Sequence, residues 1–322
     1  SSMNDSQCSI FLELSNSFSY HILTAIKGVL CFTGALRLSL QWKKYGVRFL
    51  VHENTKIMFR FFLALNIIVG AVFGWIHLFE LIRLRFDCFL LDFRYILLTR
   101  GAGVSAICAS QNVLLLLAFE RLYSAVYPAN FEKCSKKFLS ISLASITMIT
   151  TLTYGMMELS DRFRLFEQKI DRALLSISIP ENQIGFKSIV RLSAGSNFVS
   201  LILLCIDFYI NFLRKNKIRA SLAVCYQMIE NRRVVLALIP IELVQTSLNL
   251  FTGLALLAHR KIVLNPTPVG QQIIHESVTL GVCFPFILTF FIKRSAELSL
   301  NRPRPIDPQV DHFESLRKSW EK

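Results

Sequence analysis

The sequence predicts an all-α membrane protein, a bundle of seven transmembrane helices with the N-terminus outside and the C-terminus inside. Three observations carry that expectation. Of 322 residues, 53% are apolar and only 18% charged, and mean hydropathy is +0.46, a balance unlike that of soluble domains. The apolar residues gather into seven runs, each near the roughly 20 residues that cross about 30 Å of hydrocarbon. Lysine and arginine are shared unequally among the links that join the runs. This last feature accounts for the net charge of +14 as loop charge that fixes orientation, so no nucleic-acid partner is expected.

Residues 1–17 come first, as a short extracellular segment in which Asn4-Asp5-Ser6 matches an N-glycosylation acceptor at Asn4. No basic region leads into an apolar core and cleavage site, so no signal peptide is expected and the first span directs its own insertion. The spans are placed at Phe18 to Gln41, Lys56 to Phe79, Tyr95 to Arg121, Phe138 to Leu159, Ser188 to Leu213, Val234 to Ala258 and Gln271 to Ile292. The fourth is rich in Ser and Thr, and the fifth is interrupted by Arg191 and Asn197. Residues 18–292 thus form the transmembrane domain and 293–322 a cytoplasmic tail. Lys293 to Leu298 opens that tail with a short amphipathic pattern suited to anionic lipid, before Pro303 and Pro305 break it.

Orientation follows from the links. The segments after the first, third, fifth and seventh spans hold 22 Lys and Arg with their flanking helix ends, against 10 on the other side. Positive residues concentrate in the cytoplasm, which puts the C-terminus inside. Of the eight cysteines, Cys31, Cys108, Cys205 and Cys283 fall in spans, and Cys134 and Cys225 fall in cytoplasmic links. Only Cys8 and Cys88 remain outside, where a bridge between them would tie the N-terminal segment to the outer end of the third span. Two free thiols are the alternative.

Ionisable groups inside the spans need a physical reason, because each is expensive at mid-bilayer. Arg37, Arg60, Arg100 and Arg191 lie near span ends, within reach of the interface. Lys27 and Glu242 lie deeper and call for a polar partner or a water cavity. Helical spacing lines up Arg100, Val104, Cys108 and Gln111 on the third span and Glu242, Gln245 and Asn249 on the sixth. With Asn197, His275 and Glu276, these positions serve either as interhelical hydrogen bonds or as contacts to a small-molecule ligand. Pro240 and Pro285 remove backbone hydrogen bonds in the sixth and seventh spans and act there as hinges or as fixed kinks.

The stretch Ala118 to Phe131 marks where the third span leaves the bilayer, and Glu120-Arg121 at that exit can act as a latch. This pair, with seven spans and an outside N-terminus, is similar to rhodopsin-type G-protein-coupled receptors. Glu120-Arg121-Leu122-Tyr123-Ser124-Ala125, then Asn130-Phe131-Glu132, with Tyr226 to Asn231 before the sixth span, more closely resembles the Sra superfamily of nematode serpentine chemoreceptors. The tail Asp311 to Trp320 looks most like class epsilon, with class alpha/beta second. The resemblance implies a chemosensory receptor in the plasma membrane of a sensory neuron, detecting an external small molecule and signalling to a heterotrimeric G protein. Arg121 would leave Glu120 to meet that partner, and Lys133, Lys136, Lys137, Arg214, Lys215 and Arg219 would supply a basic docking surface.

The sequence departs from the rhodopsin pattern in three places, one of them the proline of the sixth span, Pro240, which lies nearer the cytoplasm. Residues 160–187 hold no cysteine, so the usual bridge from the third span cannot form, and the seventh span has Phe284-Pro285-Phe286-Ile287-Leu288 in place of an Asn-Pro-x-x-Tyr run. The competing class is a seven-span ligand-gated channel or a transporter. The insect odorant-receptor type of channel has its N-terminus inside, opposite to the charge count, and no matched Gly/Pro-broken segments hint at transporter repeats. No metal-protease, nucleophile-elbow or Cys-x-x-Cys motif occurs, so neither an enzyme nor a metal or other cofactor is expected.

Overall fold

In hydrocarbon each backbone N–H and C=O must be satisfied within its own segment, so apolar runs of this length become helices. The computed structural model describes residues 2–44, 52–86, 91–128, 131, 141–149, 151–153, 172–173, 183–214, 222–262 and 267–300. The elements are α1 (Ser2–Asn16), α2 (Phe18–Lys44), α3 (Glu53–Arg83), β1 (Leu91–Asp92), α4 (Phe93–Val126), α5 (Ile141–Thr153) and β2 (Arg172–Ala173). They continue with α6 (Gln183–Arg214), α7 (Leu222–Ile262), α8 (Pro268–Val278), a 3-10 turn (Leu280–Cys283) and α9 (Phe284–Leu300). Helices α2, α3, α4, α6 and α7 are long and apolar enough to cross a membrane, and α8 with α9 makes a sixth if the pair is one span bent by 43°. Large apolar side chains such as Val29, Leu36, Ile68, Phe198, Tyr209 and Leu250 face outward along these helices, a surface matched to lipid rather than to water. The chain therefore reads as an all-helical, multi-pass membrane protein.

Successive long helices are neighbours, α2 with α3, α3 with α4, α4 with α6 and α6 with α7, and α9 returns to pack on α2, α3 and α7. Their shared core joins Phe59 and Phe62 of α3, Val113 and Leu117 of α4, Leu204 of α6, Leu238 of α7 and Leu288 of α9. Closure between α2 and α9 depends on Gly34. A Cβ built there would lie 2.6 Å from the backbone N of Phe286, closer than any side chain tolerates. The β1–β2 pair, antiparallel with Leu91 opposite Ala173, lies beside the start of α4.

Several boundaries differ from those expected. Of the expected fourth span, the apolar helix Ile141–Thr153 is described; residues 138–140, 150 and 154–159 lie outside the described residues. Helix α7 begins twelve positions before Val234, so the stretch Leu222 to Asn231 is helical rather than a link. Proline has no N–H and its ring clashes with the carbonyl four residues back, which accounts for the 3-10 turn at Leu280–Cys283, just before Pro285. Pro285 thus stands in the first turn of α9, downstream of the bend, whereas Pro240 lies within α7.

The N-terminal segment is also more than a leader. It folds as α1, whose Phe11 and Leu14 bury against Tyr20, Leu84, Val269 and Ile273. The Ser17 hydroxyl accepts from the Tyr20 N–H at 3.4 Å and marks the break before α2. Arg83 sits over the Phe11 ring at 4.8 Å and pairs with Glu80 at 2.6 Å, so this charge is buried by its own turn and by α1. Cys8 on α1 is disulfide-bonded; Cys88, its expected partner, lies outside the described residues. Cys31, Cys108, Cys205 and Cys283 are free thiols.

Substituting Gly34→Val should lower the monodisperse fraction recovered in detergent, since overpacking against backbone costs about 1–3 kcal/mol. Gly195→Ala, where nothing lies within 4 Å of the new Cβ, should leave recovery at the wild-type level in the same size-exclusion assay.

Candidate functional site

Arg121 organises one end of the bundle. Its side chain has no exposed surface, and it lies on α4 where Ala118 and Ala125 leave room for neighbouring helices. The guanidinium pairs with Glu120 at 3.2 Å and donates to the Thr55 hydroxyl of α3 at 2.5 Å. Thr55 in turn donates to both Glu120 oxygens, at 3.1 and 3.2 Å. The guanidinium carbon lies 5.2 Å from the centre of the Phe131 ring, adding a cation–π contact, and that ring meets His52 in a tilted pair with centroids 4.3 Å apart. Nε and Nη1 of Arg121 meet no hydrogen-bond acceptor among the described residues. A cation fixed on one edge only can be turned toward a new partner with little loss.

Helices α6 and α7 close over this latch. The Asn231 amide of α7 donates both to the Arg121 carbonyl at 3.3 Å and to Asp207 of α6 at 2.8 Å, using both of its N–H groups. Asn211 donates to the same Asp207 oxygen at 2.5 Å, and the second Asp207 oxygen has no partner among the described residues. Asp207 lies within the field of Arg121. The backbone N–H of His52 donates to Glu230 at 2.6 Å, joining the start of α3 to α7. Burial, then the Arg121 charge, lowers the pKa of His52 below its ordinary 6.5. At neutral pH its ring, 3.9 Å from Glu120, is therefore a neutral neighbour and not an ion pair.

A second cluster lies nearer α1. Lys27 of α2 reaches Glu276 of α8 at 2.9 Å and the Thr279 hydroxyl at 2.9 Å, and Arg100 of α4 meets the other Glu276 oxygen at 3.2 Å. His77 and His275 lie within the field of the same three charges. Three helices are thus held by one carboxylate.

Between the two clusters runs a polar face on α6 and α7. Asn197, Ser200, Asp207 and Asn211 are buried along α6, and Asn231, Glu242 and Gln245 along α7. The Ser200 hydroxyl lies beside the Glu242 carboxylate without the geometry of a hydrogen bond. Ser193 donates to Gln111 of α4, at the upper end of the same face.

The expected ligand residues therefore divide. Arg100, His275 and Glu276 join the Lys27 cluster. Val104 packs against the Phe73 and Cys283 core, Cys108 is a half-buried free thiol, and Gln111 turns to α6. Asn197 and Asn249 stand on the α6–α7 face, with the Asn249 amide oxygen 3.7 Å from where a Gly281 Cβ would sit. Lys133, Lys136, Lys137, Lys215 and Arg219 lie outside the described residues, as do the side chains of Arg214 and Asn4. Thr55, His52 and Asp207 were not anticipated. Of these, Asp207 carried a signal, being an acid inside an apolar run. Asn231 lies within the quoted pre-sixth-span stretch, but nothing in its spacing pointed to Arg121. No protein-family model matches the chain, and no curated protein is significantly similar to it.

Glu276→Gln should leave two buried or half-buried cations unpaired and destabilise the protein by about 3–5 kcal/mol, read as a fall in detergent melting temperature that adding Lys27→Met partly restores. His52 gives a separate pH signature. Its folded pKa lies below the unfolded value, so its contribution to stability is complete above pH 6.5 and falls away as pH drops toward the folded value. His52→Gln should therefore flatten the acid limb of the melting temperature against pH.

Proposed function

We propose that the protein is a chemosensory G-protein-coupled receptor, with seven spans, an outside N-terminus, and the Arg121 end of the bundle facing the cytoplasm. The observation that carries this reading is the arrangement around Arg121, a buried arginine held by its neighbouring Glu120 and by Thr55 of another helix. Such a pair has no role in packing that an apolar residue would not fill better. It has a clear role in a switch, where Arg121 released from Glu120 presents charge to an incoming protein helix. The resemblance of Glu120 to Ala125 and Tyr226 to Asn231 to the Sra superfamily of nematode serpentine chemoreceptors supports the same reading, and Asn231 from the second stretch bonds to Arg121 of the first.

On this reading the plasma membrane of a sensory neuron is the site of action. An external small molecule enters among α4, α6, α7 and the α8–α9 pair, and favours the state in which α7 has moved away from α4. By the charge pattern of the sequence, the basic links holding Lys133, Lys136 and Lys137, and Arg214, Lys215 and Arg219, belong to the cytoplasmic side. They receive the acidic and polar surface of a heterotrimeric G protein.

The reading is tested in cells that co-express the full chain, tagged at both ends, with a G-protein activation reporter, and that are exposed to pools of candidate odorants. The expected result is an N-terminal tag accessible on intact cells, a C-terminal tag accessible only after permeabilisation, and odorant-dependent activation. Arg121→Ala should abolish activation at unchanged surface expression, and Glu120→Gln should raise basal activity. An inside N-terminus with a ligand-gated current would replace the receptor by a channel.

A further inference from the structure

We propose that Glu242 anchors a small organic ammonium ion midway through the bundle, with the side-chain oxygens of Asn197 and Gln245 accepting further N–H groups. The assignment deepens the receptor reading by naming the class of ligand, and rests on it for its biological meaning.

Glu242 stands apart from every other acid described in the bundle. It has no exposed surface, and among the described residues only the Ser200 hydroxyl stands beside it, without hydrogen-bond geometry to either carboxylate oxygen. By contrast, Glu276, Glu120, Glu80 and Asp207 each bond to a neighbour. The cations in the interior are already engaged elsewhere, Arg121 by Glu120 and both Lys27 and Arg100 by Glu276. No cation among the described residues is left to face Glu242. Buried carboxylates in proteins are nearly always hydrogen-bonded, and an acid at mid-span without a partner marks a functional position.

The groups around Glu242 share its condition. Both polar atoms of the Asn197 amide, the Ser200 hydroxyl, the Gln245 carbonyl oxygen, the Thr246 hydroxyl and the Asn249 amide nitrogen are buried without hydrogen-bond partners among the described residues. Asn197 and Ser200 lie one turn apart on α6, and Glu242, Gln245, Thr246 and Asn249 occupy one face of α7 over about 10 Å. Ser200 stands beside Glu242. Two antiparallel helices rise equally, so three residues farther along each helix Asn197 comes level with Gln245. Groups serving only to glue helices together would have bonded across this layer, as Asn231 and Asp207 do in the layer nearer Arg121.

Charge and donor count select the ligand. A neutral molecule would satisfy the amides but leave the carboxylate uncompensated. Among the described residues no group of three His, Cys, Asp or Glu is placed to hold a metal ion. A primary ammonium carries one positive charge and three N–H donors, which match one carboxylate and two amide oxygens. A small ligand suits the layer, since the core residues Leu204 and Leu238 lie one turn away on the side of Arg121 and Asn249 stands near Gly281 of the 3-10 turn at its other end.

The test uses the purified full-length protein in detergent. Its melting temperature is measured against a series of primary ammonium ions, from methylammonium to hexylammonium and benzylammonium, with the corresponding alcohols and carboxylates at matched ionic strength. Saturable stabilisation by at least one amine, absent with its alcohol, is expected. E242Q should weaken that binding by about 10-fold or more while melting normally without ligand, and N197A should weaken it by a smaller factor. Stabilisation by no amine, equal stabilisation by the alcohols, or full-strength amine binding by E242Q would each overturn the assignment. G-protein activation in cells separates the two readings. Amine binding without activation in any pool keeps the site and removes the receptor, whereas activation by neutral odorants that E242Q leaves intact keeps the receptor and removes the ammonium ligand.

Discussion

A charged group inside the bundle needs a partner of opposite charge or a polar neighbour, and where its own helix offers none the partner comes from another helix and ties the two together. Glu276 draws Lys27 from α2 and Arg100 from α4 onto α8. Thr55 joins α3 to the Arg121 pair of α4, and Asn231 and Asp207 join α7 and α6 to the same place. Lipid offers no hydrophobic drive to hold one apolar helix against another, so contacts of this kind, with close packing such as Gly34 on Phe286, decide which helices are neighbours. A buried ion pair contributes little net stability but is costly to break on one side only. Its value here is that it fixes one arrangement of the helices against others of similar apolar packing.

Hydropathy made the long helices legible because span length and composition are local properties. It located α2, α3, α4 and α6 to within about five residues at each end, and α7 except for the twelve residues before Val234. It failed where tertiary context decides. Helix α1 has too few apolar residues to be read as an element, yet Phe11 and Leu14 have a surface to cover only once Tyr20, Leu84 and Ile273 have come together. The bend before α9 was attributed to Pro285, but proline acts on the residues that precede it, so the break falls at Leu280–Cys283. At the candidate site, spacing along a single helix grouped Arg100 with Gln111, and the fold separates them because α8 and α6 claim different turns of α4. Partners from different helices, such as Thr55 for Arg121 and Lys27 for Glu276, have no signature in a one-dimensional pattern.

The α6–α7 interface shows how two sites can share one pair of helices. Asn197, Ser200, Leu204, Asp207 and Asn211 recur every three or four residues, which keeps them on one face of α6. On α7, eleven residues separate Asn231 from Glu242, close to three full turns, so both look toward α6 from positions about 16 Å apart. The interface is thereby layered. Asp207 with Asn231 forms one polar layer, Leu204 and Leu238 an apolar one, and Ser200 with Glu242 and Asn197 with Gln245 the next.

Layering of this kind makes α7 the element on which both sites act. Pro240 falls between the two polar layers and has no N–H to give to the carbonyl of Leu236, so the helix is least resistant to bending there. Filling the Glu242 layer changes the balance of charge on one side of that weak point, while the Asn231 bond to the Arg121 carbonyl holds the other side. Bending at Pro240 need not slide the whole of α7 past α6. It has to lengthen the 3.3 Å bond from Asn231 to the Arg121 carbonyl and the 2.6 Å bond from His52 to Glu230 for the Arg121 layer to lose its ties to α7, while the apolar layer of Leu204 and Leu238 keeps the two helices in register. On the proposed reading, the turn at Pro240 is where a carboxylate in one layer would be coupled to an arginine in the other.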